Sequence, residues 1–179
     1  VERDGDIQVI ETPVRDNLQD IAAWDDQHLI AIGNKATVIL STDGGNSWEP
    51  AQVVPRTEIA DKLRRIRVWG DGYGVIVGEM GAVLRTNDYG QTWNRLAEEE
   101  DLAFNDFHRF ENGDLLVVGE FGRISRLPAG AGEIEIVDLE SEITLMAVSF
   151  RDENQGVAVG LDGTVLFTSD GGHNWEVQD

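Results

Sequence analysis

The chain has 179 residues, with 34 acidic and 14 basic side chains, a formal net charge of −20 and no cysteine. That length suits one domain with a self-sufficient core, and the missing cysteines exclude a disulfide scaffold and any thiolate zinc site. The charge excludes nucleic acid and anionic membrane surfaces as partners, since both need Lys and Arg to neutralise phosphate, and no apolar run approaches the ~20 residues of a spanning helix, so direct membrane insertion is excluded too.

An internal repeat governs everything that follows. Four β-branched or apolar runs end in glycine, at Gly33, Gly78, Gly119 and Gly160, with spacings of 45, 41 and 41 residues. Each continues as Gly-x-x-Gly/Ala-x-Val/Ile into a second strand-like run. Three of the four copies then carry a turn ending in tryptophan: Ser41–Trp48, Thr86–Trp93 and Thr168–Trp175. In the third copy Ile134 stands where the tryptophan falls due, and the turn at 127–132 has no Asp.

In chain order, Ile7–Ile10 lies one period before the strand that follows Trp48, so residues 1–13 read as the outer strand of a preceding or closing blade. The first full repeat predicts four short strands, Ile21–Trp24, His28–Ile32, Thr37–Ser41 and Trp48–Val54. Four-stranded units at this period are β-propeller blades. The predicted fold is therefore all-β, with blades at 14–56, 57–101, 102–138 and 139–179. Thr57–Arg67 has the only hint of helical spacing and is expected to form a turn or two within a long connector. Four blades and one surplus strand leave three forms open: an arc of a longer propeller, a closed four-bladed ring, or a ring completed by a second chain. The sequence starts with Val rather than Met, so it is expected to be a processed form or an excised piece.

The tryptophan-ending turns have structural chemistry. Asp43, Asp88 and Asp170 are suited to accept backbone N–H bonds across a tight turn. Gly45, Gly90 and Gly172 supply positive φ, and Trp48, Trp93 and Trp175 bury a large apolar face. The Gly-x-x-Gly turns are expected on the opposite side of the blades, with the connectors, where function usually resides. Their tips read Asn34-Lys35, Glu79-Met80, Glu120-Phe121 and Leu161-Asp162. Met80, Phe121 and Leu161 are poor hairpin-tip residues, so they are candidate apolar anchors for a partner, unless they fold back over neighbouring loops.

Lys62, Arg64, Arg65 and Arg67 crowd the first connector and the inner strand after it, while Glu98, Glu99, Glu100 and Asp101 crowd the next connector. Such a split steers a charged partner, or else the two groups pair within the molecule. Trp24, Trp69, Phe110 and Phe150 are expected to pack between blades, and His108 with Arg109 is a candidate lining of the central channel. The three histidines have no metal spacing and no nucleophile or phosphate-loop motif occurs, so neither cofactor nor metal is implied.

The tryptophan-ending turns resemble the Asp-box, or bacterial neuraminidase repeat. The pairing of Val77–Arg85 with the box at Thr86–Trp93, repeated at Val159–Trp175, resembles the photosystem II assembly and stability factor-like family. That resemblance implies a non-catalytic scaffold for protein–protein interaction, exported to the periplasm or lumen, in which seven blades close a ring. It also implies an arginine patch, for which Arg64, Arg65 and Arg67 are the candidates. The candidate docking set is thus Glu79, Met80, Glu120, Phe121 and Leu161 with these three arginines, the partner being another protein of unknown identity. Asp-boxes are also similar to those of sialidases and xyloglucanases, so the alternative is a fragment of a glycoside hydrolase, and a third reading is self-association through open blade edges.

Overall fold

The computed structural model describes residues 9–51, 62–98, 100–130, 132–137, 139 and 141–177. They form four four-stranded antiparallel meanders. Blade 1 holds β1 (Leu18–Ala23), β2 (Leu29–Gly33), β3 (Val38–Ser41) and β4 (Glu49–Pro50). Blade 2 holds β5 (Leu63–Trp69), β6 (Tyr73–Gly78), β7 (Val83–Thr86) and β8 (Asn94–Arg95). Blade 3 holds β9 (Phe104–Arg109), β10 (Leu115–Gly119), β11 (Ile124–Leu127) and β12 (Glu135–Val137). Blade 4 holds β13 (Leu145–Phe150), β14 (Gly156–Gly160), β15 (Val165–Thr168) and β16 (Glu176–Val177). The first strands line up side by side as β1, β5, β9 and β13, and among the described residues the four sheets do not close into a ring.

The all-β propeller expectation holds, with local differences. Thr57–Asp61 lies outside the described residues, but 63–67, expected to turn within a connector, is the start of inner strand β5. Of the expected strand Ile7–Ile10, residues 7 and 8 lie outside the described residues, and Val9 and Ile10 are not in a strand. The outer strand expected over Trp48–Val54 is limited to Glu49–Pro50 among the described residues. No helix among the described residues is long and apolar enough to cross a membrane.

The second and third strands are apolar on both faces because every inner blade is packed on both sides. Ile30, Ile32 and Val38 of blade 1 meet Ile66, Ile76 and Leu84 of blade 2. Val75, Val77 and Val83 turn the other way, onto Phe107, Leu115 and Val117 of blade 3. Leu116, Val118 and Ile124 repeat the pattern against Val148, Ala158 and Leu166 of blade 4. Each blade thus has a forward face, turned to the next blade, and a backward face. Complete burial of such side chains contributes about 1.5–3 kcal/mol each, which makes these three joints the core.

A register shift recurs in every inner strand, between Leu18 and Asp20, Leu63 and Arg65, Phe104 and Asp106, and Leu145 and Ala147. These β-bulges give Gln19, Arg64, Asn105 and Met146 an extra place in the strand and re-aim them. The first glycine of each Gly-x-x-Gly turn makes room for the bulge. The next amide binds the carbonyl just before it: Asn34 N to Asn17 O (3.0 Å), Glu79 N to Lys62 O (2.9 Å), Glu120 N to Ala103 O (2.9 Å) and Leu161 N to Thr144 O (3.0 Å). A Cβ on Gly33, Gly78, Gly119 or Gly160 would overlap that same carbonyl oxygen. Gly119 is extended, at φ −166°, so its requirement is steric and not conformational. Gly119→Ala is therefore expected to cost about 2 kcal/mol or more, read as a fall in Tm. Gly130→Ala, which meets nothing within 4 Å, should leave Tm unchanged.

Candidate functional site

The three Asp-boxes share one set of hydroxyl and carboxylate bonds. Ser41, Thr86 and Thr168 donate to the Asp Oδ1 at 2.9, 2.7 and 2.9 Å. The same hydroxyls accept the N–H of Gly45, Gly90 and Gly172 at 2.8, 3.1 and 3.0 Å. Each carboxylate then accepts the backbone N–H of Ser47, Thr92 or Asn174 and that residue's side chain at 2.6–2.7 Å. Asn174 thereby replaces the usual hydroxyl with its amide. Trp93 and Trp175 donate Nε1–H to Gly90 O and Gly172 O. Blade 3, which lacks the box, pins its turn from the one before β10: Ala129 N donates to Asp114 Oδ1 at 2.9 Å.

These bonds favour the ionised carboxylate. The Ser47 hydroxyl and amide hold Asp43 at about 2, and the Asn174 side chain and amide hold Asp170 at about 2. In Asp88 burial acts in the opposite direction, but the bonds from Thr92 and Thr86 still keep it below the usual value. All three box aspartates are therefore committed to their turns.

On the opposite side lie the Gly-x-x-Gly tips. Lys35, Met80, Phe121 and Asp162 all sit at φ 56°, a left-handed conformation that costs a residue with a Cβ roughly 1–2 kcal/mol. Phe121 is 63% exposed and Leu161 51%, whereas Met80 is half-buried and its carbonyl accepts from Arg95. Glu79 and Glu120 turn back toward their own blades. Glu120 Oε2 accepts Ala103 N at 3.0 Å, and Glu79 Oε2 accepts Lys62 N at 3.3 Å. Arg64 lies between them, at 3.2 Å from Glu79 and 3.4 Å from Glu120, and also donates to Asn105.

All three candidate arginines are in β5, and their acids come from inner strands and tips instead of the acidic connectors. Arg65 faces Asp20 (3.8 Å) and Asp106 (3.6 Å), and Arg67 donates to Asp106 Oδ1 at 2.8 Å and to Phe107 O at 2.8 Å. The connector acid Glu100 pairs with Arg123 at 2.8 Å instead. Arg64, Arg65 and Arg67 are thus paired within the molecule.

His108 and Arg109 are both half-buried against aromatic rings. His108 packs on Phe110 and Phe150, and burial and the nearby Arg67 lower its pKa. The Arg109 guanidinium lies 5.2 Å from the Trp69 ring and 4.8 Å from Tyr73. Phe150 is one place early in the aromatic series, since Phe150 pairs with Gly156 where Arg109 pairs with Leu115; Arg151 holds the position of Trp24, Trp69 and Phe110. No cluster of metal-ligating side chains occurs among the described residues.

Asp106 is the site residue that the motif search misses. Its side chain is 3% exposed, and it joins three blades by accepting Arg67 from blade 2 and the Val148 N–H of blade 4, at 3.0 Å. Asp20 holds Ile66 N at 3.0 Å in the same manner. The available signal was register: Asp20, Arg65, Asp106 and Ala147 are one repeat position.

Four-stranded blades in meander order, three of them closed by Asp-boxes, define an Asp-box β-propeller. The family model described as Photosynthesis system II assembly factor YCF48 matches residues 2–107, more than half of the chain, and the chain belongs to that family. Among curated proteins none matches the sequence. A solved structure of YCF48 bound to D1 peptide is similar over 94% of this chain and 71% of its own, at 21% identity and a TM-score of 0.50. A GH74 enzyme from Niastella koreensis is similar over 88% of this chain and 28% of its own, at 15% identity and a TM-score of 0.67. The computationally designed Ika4 protein is similar over 90% and 97%, at 15% identity and 0.67. At these identities the likenesses show the fold.

Two measurements check these contacts. Between the ordinary carboxylate value of 3.8 and about 2, the unfolded chain binds protons that folded Asp43 and Asp170 do not. Their contribution is therefore complete above about pH 4 and lost as pH falls through about 2. Denaturation midpoints should drop across this window, and less steeply in the Asp43→Asn/Asp170→Asn variant. Asp106→Ala leaves the Val148 N–H without its acceptor and takes the carboxylate from Arg67, and should lower the unfolding free energy by about 3 kcal/mol, measured by urea titration.

Proposed function

We propose that this chain is a non-catalytic propeller scaffold that holds another protein against its Gly-x-x-Gly face, at an exported, periplasmic or lumenal location. The observation that carries the reading is Phe121. A bulky aromatic at positive φ is unfavourable, and its exposure to water is unfavourable again. Both features persist together at a tip whose neighbours, Leu161 and Met80, are also apolar. The family supports the reading, and the YCF48 relative is a structure bound to a D1 peptide.

The proposed docking set is Phe121 and Leu161 as anchors, Met80 at the edge, and Glu79 and Glu120 as the polar rim. Arg64, Arg65 and Arg67 stand behind them and hold the tips and inner strands in place. The non-catalytic part of the reading is supported by where the carboxylates are committed. The box aspartates serve their turns, and Asp20, Asp106, Glu79 and Glu120 serve inner-strand amides and arginines. Sialosides and β-glucans are expected to remain unhydrolysed.

The test is a pull-down from extracts of the source organism, comparing the wild type with Met80→Asp/Phe121→Asp. The variant should lose specific partners that the wild type retains, and an unchanged set overturns the site. Phe121→Gly is a second arm. It should raise stability by about 1 kcal/mol, because glycine adopts positive φ without strain, while weakening capture of the same partner.

A further inference from the structure

The three blade joints repeat one pattern, and blade 4 carries the same forward face with no blade packed against it among the described residues. Val159 is 40% exposed there, whereas its counterparts Ile32, Val77 and Val118 are wholly buried. Phe167 is equally exposed. Its counterparts Arg85 and Arg126 each reach a carbonyl of the following blade, at Ala129 and Gly171. Phe150, Val157 and Phe167 line a groove of about 600 Å³ on this face. At the other end of the array, Ile21 on the backward face of blade 1 is 59% exposed, although Ile66, Phe107 and Val148 at the same repeat position are buried. Ala31 and Ile39, further out on that face, are already covered, so the opening lies along inner strand β1.

We infer that the forward face of blade 4 docks the inner-strand side of blade 1 in a second copy of this chain, so that two copies place eight blades in one array. The groove is shaped by the repeat itself. Wherever the same positions are covered in this chain, their cover is drawn from the first three strands of the next blade. Of that kind of surface, inner strand β1 is the part left exposed on blade 1.

Two details match across the proposed joint. The joints from blade 1 to 2 and from 3 to 4 each use an aspartate of one blade to satisfy an inner-strand N–H of the next, Asp20 for Ile66 and Asp106 for Val148. Blade 4 has Ala147 at that position and offers no acceptor. Blade 1 needs none, because Ile21 N already donates to its own Asp20 Oδ1 at 3.0 Å. Burying Ile21 therefore leaves no amide unpaired.

The second detail is charge. Where other blades carry an aromatic, blade 4 carries Arg151, largely exposed and bonded within its own turn to Asp152. In the joint from blade 3 to 4, the turn after the inner strand lies against the preceding blade, where Glu111 N donates to Glu153 Oε1 at 3.2 Å. The position of Glu153 is held in blade 1 by Asp26, which is exposed. The same joint would bring the Asp26 carboxylate beside Arg151. The two surfaces differ, so the contact is heterologous, and two copies satisfy it twice around a two-fold axis. Eight blades lie within the range that propellers adopt. The inference rests on the blade faces alone and does not involve the Gly-x-x-Gly tips.

Sedimentation velocity across the micromolar range tests it. The wild type should reach twice the 19.7 kDa chain mass. Phe167→Glu and Ile21→Glu should each sediment as monomers with unchanged far-UV circular dichroism, since both side chains are substantially exposed in the single chain. An equimolar mixture of the two variants should associate again, because one of its two joints joins an unaltered blade 4 to an unaltered blade 1. A wild type that stays monomeric overturns the inference. So does association that survives Ile21→Glu, which would mean blade 4 meets another blade 4, and so does a mixture that fails to reassociate.

Discussion

The inner strands have an open edge. Each is bonded to only one strand of its own sheet, so its remaining backbone groups face the neighbouring blades, where unpaired amides and carbonyls are costly to bury. The rest of the molecule is arranged around that constraint. The bulge in β1, β5, β9 and β13 turns one residue out of the ladder. Asp20 and Asp106 then bridge to the next inner strand, and Arg67 does so with the opposite polarity by donating to Phe107 O. The Gly-x-x-Gly glycines follow from the same requirement, because a strand that bulges at this point brings a carbonyl where a Cβ would otherwise stand.

Much of this was legible in the sequence. The repeat, the four blades and the box chemistry follow from spacing and residue type, because a turn of this kind is a local object whose partners lie within a few positions. The inner-strand joint was not legible in that way. Asp106 and Val148 are 42 positions apart, as are the members of every such bridge to within a few residues, and a strongly acidic chain gives no reason to single out one carboxylate. Arg64, Arg65 and Arg67 show the same limit. Their clustering was evident, but their partners lie on two other inner strands and two tips, so a row that resembled a docking patch is tied into the scaffold. The start of β5 was misread because Leu63 and Ile66, at a helical spacing, are separated by a bulge that restores a common buried face.

The two sides of the array are specialised by these choices. One side is fixed by charged turns whose carboxylates have little capacity left for chemistry. The other combines committed glutamates with exposed apolar tips, so its polar groups hold geometry while its apolar groups remain available. Membership of the YCF48 family fits this division. A scaffold needs a rigid frame and a contact surface, and in the proposed reading the frame uses the charges while the surface keeps the apolar side chains.

Asp106 also bears on how the array comes apart. Stacked repeats that touch only their neighbours unfold as linked one-dimensional units, with the coupling set at each boundary. One carboxylate that grips blades 2 and 4 from within blade 3 makes two boundaries share a single group. Blades 2, 3 and 4 should therefore melt as one cooperative block. Amide exchange should be slowest in β9 and β10, at the centre of that block.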